Sequence, residues 1–357
     1  TAVDRNQYVS AMKDNILATS DKGTLTPRYA VATATTQLTI MPTVDYVGYS
    51  KEDFDNENVN SSLVVNEPFV IKQKSIFANR LYYWGYADNC SGWIVADDLA
   101  ICSSKAQWEK CFVNDLNGKD FIVVTQDAIT LAPNIYSTKT SGVRLDLGTI
   151  LKLVPKSELP RNIAGRGAWN NYAVYLPTRN ADGSYQAEIA LIPQKSSVSI
   201  GYLPMTQNNV LDLAFACLGN RYGWGGTLDA MDCSLYTRSV YRCFGIKLPR
   251  NTTTQRKVPN TIVDISMLDD ANKAAMIQNA PVGSLLYFSG HTMIYLGSVD
   301  GVPYVISATG SLSDSVGYQD VVPMNTVIVT PLTVRRKDSS TWLSNMQTIV
   351  NPYFIKL

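Results

Sequence analysis

The spacing of apolar residues changes character near residue 200 of this chain of 357 residues, and that change limits the fold more than any other feature. Up to about residue 196 the pattern is short runs of period-two alternation with turn residues at the joints, as half-buried strands require. After Gly201-Tyr202-Leu203-Pro204 the period becomes helical, carried by Val210, Leu211, Leu213, Ala214, Ala216, Cys217 and Leu218. A chain of this length exceeds what one hydrophobic core usually spans. The switch is therefore read as a domain boundary between an all-β part and an α+β part.

Residues 1–28 read as a polar, partly helical arm with a turn at Thr24-Leu25-Thr26-Pro27. Strands at 37–42, 68–73, 80–86 and 91–95 predict a first small β-barrel over 29–103. Trp108, Cys111 and Phe112 recur at three- and four-residue steps, so 104–118 is read as a helical linker. A second barrel is expected over 119–200, from strands at 121–124, 149–154, 172–177 and 188–192. The Asn180-Ala181-Asp182-Gly183 turn stands where a hairpin needs positive φ. The third domain, 201–357, runs helix, glycine-rich turn, helix, and then strands at 284–288, 292–296 and 304–307.

Charged residues are only 17% of the chain and the formal charge is +1. No field of the kind that gathers nucleic acid or an anionic membrane is implied, and a small neutral or zwitterionic substrate fits better. No apolar run reaches about eighteen residues, so no membrane span is expected. The opening Thr1-Ala2-Val3-Asp4 carries no signal-peptide pattern, and the missing initiator methionine is read as a product cut behind a leader, hence exported. A monomer is expected. The six cysteines do not form a dense disulfide framework. Cys90, Cys102 and Cys111 cluster, and Cys217 and Cys243 flank Cys233; one or two bridges fit this pattern, as do buried free thiols. With one histidine and no close double cysteine spacing, neither a metal centre nor another cofactor is expected.

The chemistry concentrates in the third domain. The run Arg221-Tyr222-Gly223-Trp224-Gly225-Gly226 feeds Cys233 at the start of an amphipathic helix. A glycine turn before a helix N-terminus can expose a thiol and lower its pKa. A thiol nucleophile also needs a base that titrates near neutrality, and the chain holds one histidine, His291. If Cys233 reacts, His291 is nearly forced as its partner.

Asp232-Cys233-Ser234 resembles the nucleophile motif of the NlpC/p60 cysteine peptidases, which cut bacterial cell-wall peptides on a papain-like α+β fold. Further anchors stand in the family's order: Tyr222-Gly223-Trp224-Gly225-Gly226, Phe244-Gly245-Ile246 with Leu248-Pro249-Arg250, Gly283 through His291, and Ile294-Tyr295-Leu296-Gly297. The two strand-rich stretches look like the paired bacterial SH3 domains of one subgroup, as does the closing Thr330-Pro331-Leu332 with Arg335-Arg336-Lys337. That resemblance implies a γ-D-glutamyl-diamino acid endopeptidase acting on peptidoglycan-derived peptides with a free N-terminal L-alanine, in the envelope, the periplasm or secreted.

Roles follow from the resemblance. Cys233 would be nucleophile and His291 base, with the Tyr222 hydroxyl and the Cys233 backbone N–H stabilising the oxyanion. Ser307 falls at the third catalytic position, where the family commonly has His, Asn or Gln; it would act directly or through a water, or Thr309 would stand in for it. Asp232 and Ser234 would take the substrate amine, and Tyr83, rather than Tyr82 or Tyr86, would close that pocket from the first barrel. Arg250 with Thr252 would hold the D-glutamate carboxylate; Asn251 departs from the acidic residue or threonine common there. The serine at 307 also supports an alternative: a wall-binding adaptor with a weakened peptidase fold.

Overall fold

The computed structural model describes residues 5–19, 26–50, 55–88, 90–259, 261–313 and 321–355. The first four residues and part of the turn expected at 24–27 lie outside them. The chain divides into two compact units, Thr1–Gly201 and Tyr202–Leu357.

The first unit is mostly β. After the helix Arg5–Thr19, a seven-stranded sheet runs in the order Val59–Leu63, Thr36–Thr39, Ser91–Val95, Arg80–Tyr86, Pro68–Phe77, Arg28–Ala32, Leu99–Ile101. Its alternating strands place Ala30, Leu38, Phe69, Ile71, Tyr83, Ile94 and Leu99 in one core. The hairpin from Pro68–Phe77 to Arg80–Tyr86 turns on Ala78 and Asn79, both with positive φ, as a tight two-residue hairpin turn demands. The described pairings leave the sheet open at Val59–Leu63 and Leu99–Ile101.

The linker helix is shorter than its apolar spacing predicts, Lys105–Glu109, with Ser104 capping it. Beyond it Asn114-Asp115-Leu116-Asn117-Gly118 favours turns over helix: the Asn117 N–H bonds the Asp115 carboxylate at 2.9 Å. The remaining strands form three small sheets, of which the longest hairpin pairs Asn171–Arg179 with Tyr185–Pro193. Gly183 in its turn has a φ of 87°. Ile122, Val124, Leu145, Leu151, Val174, Leu176 and Ile192 make their core, and Val65, from the turn after the strand Val59–Leu63, joins it. Both strand-rich stretches thus belong to one compact unit.

The second unit is α+β. Its six-stranded antiparallel sheet runs Ile262–Asp264, Thr348–Val350, Leu285–Phe288, His291–Val299, Val302–Leu312, Val322–Pro331. The helix Cys233–Arg242 lies against the strands His291–Val299 and Val302–Leu312, and the helix Gln207–Phe215 packs beside it. Tyr236 and Tyr241 are fully buried; Tyr236 donates to the carbonyl of Ala214 at 2.9 Å and Tyr241 to that of Gly283. Each hydroxyl meets an acceptor, so burying these large side chains leaves no polar group unpaired. A core of Ile277, Leu286, Met293, Val305, Leu332, Trp342 and Ile349 fills the other face.

Candidate active site

The turn before Cys233 is built from unusual backbone. Gly225 and Gly226 have φ of 66° and 99°, and Leu228 and Asp229 follow at 59° and 54°. The glycines meet this demand without steric cost, whereas the two residues with Cβ atoms do not. Such strain persists only where neighbouring structure enforces it. Here Asp232 does so, accepting from the Gly225 N–H at 3.0 Å and, as N-cap of the helix Cys233–Arg242, from the Leu235 N–H at 2.9 Å.

Asp232 also holds Arg250. The two nitrogens of the guanidinium fork reach the two carboxylate oxygens at 3.1 and 2.6 Å, and Nη1 donates to Ser234 Oγ at 2.8 Å. Ser234 Oγ in turn donates to Asp232 at 2.9 Å. All three residues are buried. Burial pushes the Asp232 carboxyl up, but the charge and hydrogen bonds of Arg250 outweigh it and hold the group below the usual carboxylate range.

Cys233 is 8% exposed, and the backbone N–H groups of Thr292 and of Ser234 lie near its sulfur and favour the thiolate. Thr292 adjoins His291 at the start of the strand His291–Val299, so the helix and the sheet bring the thiol and the only imidazole into one neighbourhood. His291 Nε2 lies 3.1 Å from Ser307 Oγ on the adjacent strand Val302–Leu312. The bond goes to Ser307; Thr309 is buried two residues further along.

The titration behaviour corrects the expectation drawn from sequence. Burial, then the negative charge of Asp232, push the Cys233 thiol up to about 12 against the two backbone N–H groups. Burial, then the charge of Arg336, bring the half-buried His291 down to about 4. A helix N-terminus favours a thiolate, but here desolvation and an adjacent carboxylate prevail. Both groups rest neutral at pH 7.

Sequence reading missed three parts of the arrangement. The His291 ring lies 5.3 Å from Phe288 and 5.1 Å, edge-on, from Trp342, and Arg336 stacks over Phe288 at 5.3 Å. Buried Lys273 donates to the Ser344 carbonyl at 2.5 Å and anchors the short helix Trp342–Asn345. Gln255, fully buried, uses its whole amide: Nε2 donates to the carbonyls of Ser234 and Pro249 at 2.9 and 2.8 Å, while Oε1 accepts from Thr237 at 3.0 Å and from the Tyr287 hydroxyl at 3.3 Å. It ties the nucleophile helix to the Leu248-Pro249-Arg250 loop and to the sheet. The aromatic at 342 is visible in the sequence, but a lone Gln in a threonine run carries no periodic signal.

The other expected site residues fall as follows. Tyr222 is half-buried beside the turn, its N–H donating to the Asn325 carbonyl at 2.9 Å. Thr252 is half-buried at the first position of the helix Thr252–Gln255, which Asn251 caps. Asp232 and Arg250, expected to meet opposite charges on a substrate, are paired with each other, each buried charge held by the other. Tyr83 packs in the core of the first unit among Leu38, Ile71 and Ile94, while Tyr86 is exposed on the same strand. All six cysteines are free thiols, with no bridge between any pair. Among the described residues, no helix is long and apolar enough to cross a membrane.

Known proteins give a consistent picture. An NlpC/P60 endopeptidase from Photobacterium damselae subsp. piscicida is similar over 98% of this chain and 79% of its own, with a TM-score of 0.74 and 15% identity. An NlpC/P60 family protein from Bacillus cereus is similar over 90% of this chain and 98% of its own, at a TM-score of 0.58 and 14% identity. At such identities the likeness is one of fold. No curated protein matches. The NlpC/P60 family itself matches residues 219–321, the stretch that holds the glycine turn, Cys233, His291 and Ser307. Residues 219–321 are accordingly an NlpC/P60 domain, of a family whose members are generally cysteine peptidases of the cell wall.

Proposed function

We propose that the protein is an exported cysteine endopeptidase that hydrolyses the γ-D-glutamyl-diamino acid bond of short peptidoglycan peptides bearing a free N-terminal L-alanine. The observation that carries this reading is the connected line from Cys233, through the Thr292 backbone N–H beside His291, to the 3.1 Å contact of His291 Nε2 with Ser307. With the ring proton on Nε2 and donated to Ser307, Nδ1 is the nitrogen left to accept from the thiol.

The resting pair is neutral, so the thiol proton passes to Nδ1 as sulfur attacks the amide carbonyl. A carbon–sulfur bond forms, and the charge gathers on the carbonyl oxygen. The Cys233 backbone N–H and the Tyr222 hydroxyl donate to that oxygen. The imidazolium then protonates the leaving nitrogen, the carbon–nitrogen bond breaks, and a thioester remains. Water, deprotonated by the same imidazole, hydrolyses it and returns the thiol. Ser307 is a positioning residue: it fixes the tautomer and the ring plane. Asp232, Ser234 and Arg250 form one neutralised cluster that anchors the nucleophile turn, with Thr252 beside it.

The test is incubation with L-Ala-γ-D-Glu-diaminopimelate. Release of L-Ala-γ-D-Glu by the protein, and none by Cys233→Ala, is the expected result. Binding to cell-wall sacculi without any release, by protein whose thiol is intact, would instead make it the wall-binding adaptor that a serine at position 307 also permits.

A further inference from the structure

Two cysteines of the first unit lie in surroundings that hydrolysis does not use. Cys102 directly follows the strand Leu99–Ile101, and its N–H donates to the Tyr29 carbonyl at 2.8 Å. Cys111 follows the helix Lys105–Glu109, its N–H donating to the Trp108 carbonyl at 3.0 Å. The strand end and the helical turn double back on each other, fixed by the Trp108 indole N–H on the Ala30 carbonyl at 2.9 Å. Both side chains therefore fall into one cluster with Val31, walled by Tyr29, Trp108, Phe112 and Tyr185. Within it the Cys111 thiol donates to the Gln107 carbonyl at 3.5 Å, and the Cys102 thiol and the Tyr185 hydroxyl lie close enough to shift its titration.

The two sulfurs are not equivalent. The neighbouring Cys102 lowers the Cys111 thiol, and the Tyr185 hydroxyl and the charge of Lys152 add to this against the effect of burial. The same proximity, with burial, raises Cys102. One sulfur carries negative charge readily and the other keeps its proton, the asymmetry that thiol–disulfide exchange uses. Cys102 also lines a cavity of about 550 Å3, together with Tyr29, Ser103, Ser104 and Asp182, so space for a small molecule adjoins the residue.

We propose that Cys102 and Cys111 are a redox-active dithiol, closing to an intramolecular disulfide by exchange with a small-molecule disulfide RSSR. In the first step the Cys102 sulfur gives its proton to the Cys111 thiolate and displaces one half of RSSR: a Cys102–S–S–R bond forms, and RS⁻ leaves and takes a proton from solvent. In the second step the Cys111 thiolate attacks the Cys102 sulfur and expels RS⁻, which takes up the proton that Cys111 had lost. The two protein thiols are oxidised by two electrons, and RSSR is reduced to two RSH. The bridge fastens the end of a strand to the end of the linker helix and restricts the unfolded chain.

The experiment uses the full chain in a Cys233→Ala background, so that the nucleophile consumes no oxidant; the other two thiols of that unit, Cys217 and Cys243, are fully buried. The protein is titrated with glutathione disulfide, remaining thiols are alkylated, and the product is peptide-mapped. Expected are a Cys102–Cys111 crosslink, an intact mass lower by two hydrogens, and a thermal midpoint raised by about 5 °C, all reversed by dithiothreitol. In Cys111→Ser the exchange should stop at glutathione on Cys102. If both thiols of the parent protein remain open to alkylation, or if Cys102 links to Cys90 or retains glutathione while Cys111 is present, the proposal is overturned. The crosslink is read without any substrate, so this result is independent of the hydrolase reading.

Discussion

Asp232 and Arg250 meet as a buried two-pronged ion pair, carboxylate oxygens to guanidinium nitrogens at 2.6 and 3.1 Å, directly beneath the nucleophile turn. The pair joins three pieces of chain: the glycine turn through the Gly225 N–H, the helix start through the Leu235 N–H, and the Leu248-Pro249-Arg250 loop. Removing one member leaves a buried charge without its counterpart.

Arg250→Met should therefore destabilise the second unit by about 3–5 kcal/mol. Arg250→Lys should recover little of this, because an ammonium cannot make the two-pronged contact. Urea unfolding monitored by tryptophan fluorescence measures both. A loss below about 1 kcal/mol in Arg250→Met would show that the pair is not the anchor described.

The pH dependence follows from a neutral resting pair. With His291 brought down to about 4 and Cys233 pushed up to about 12, kcat/KM for the proposed substrate should fall on the acid side near pH 4. It should stay level through neutrality into the alkaline range. Stability carries a related sign. The unfolded imidazole takes a proton near pH 6.5 that the folded one refuses until about 4, so folding weakens as pH drops through that window, and the raised Cys233 thiol weakens it again as pH climbs from about 9 towards 12. An acid limb near 6.5 in the rate profile would instead indicate a preformed thiolate–imidazolium pair.

Ser307→Ala removes the hydroxyl that holds Nε2 and changes nothing else on that face of the strand. We expect kcat to fall about 10- to 100-fold with KM nearly constant, the range typical of groups that orient a reacting side chain. Because Ser307 is fully buried, thermal unfolding should be followed alongside the kinetics. A variant with full activity would remove Ser307 from the catalytic arrangement.

Gln255→Leu strips partners from the Thr237 and Tyr287 hydroxyls and from the carbonyls of Ser234 and Pro249. The expected cost is at least about 2 kcal/mol of stability. A kcat decrease of about tenfold should accompany it, as the nucleophile helix loses its register against the sheet. Stopped kinetics on folded protein separates the two effects: a normal kcat at the temperature where the variant is fully folded would confine Gln255 to a stability role.

What the sequence disclosed is what local pattern encodes. The helix beginning at Cys233, the His291 strand and the 80–86 strand were legible from period and turn chemistry, because each depends on neighbours in sequence. Charge pairing and titration were not. Asp232 and Arg250 looked like two separate handles for a substrate, since nothing in their spacing of 18 residues says that a loop returns one to the other. Cys233 looked like an acidic thiol because the helix N-terminus is local, whereas the burial that overrides it is tertiary. Lys273 and the Trp342 ring act through residues far away in the chain, and of the partners of the Gln255 amide only Pro249 lies nearby in sequence, so no window around them contains a periodic signal.

Because the imidazole enclosed by Phe288 and Trp342 belongs to the only histidine of the chain, its ring protons need no isotope scheme or substitution to be identified. The currents of two flanking aromatic rings must move those resonances away from the positions of a solvated imidazole. A single pair of lines in an ordinary proton spectrum thus reports, atom for atom, on whatever enters the cleft.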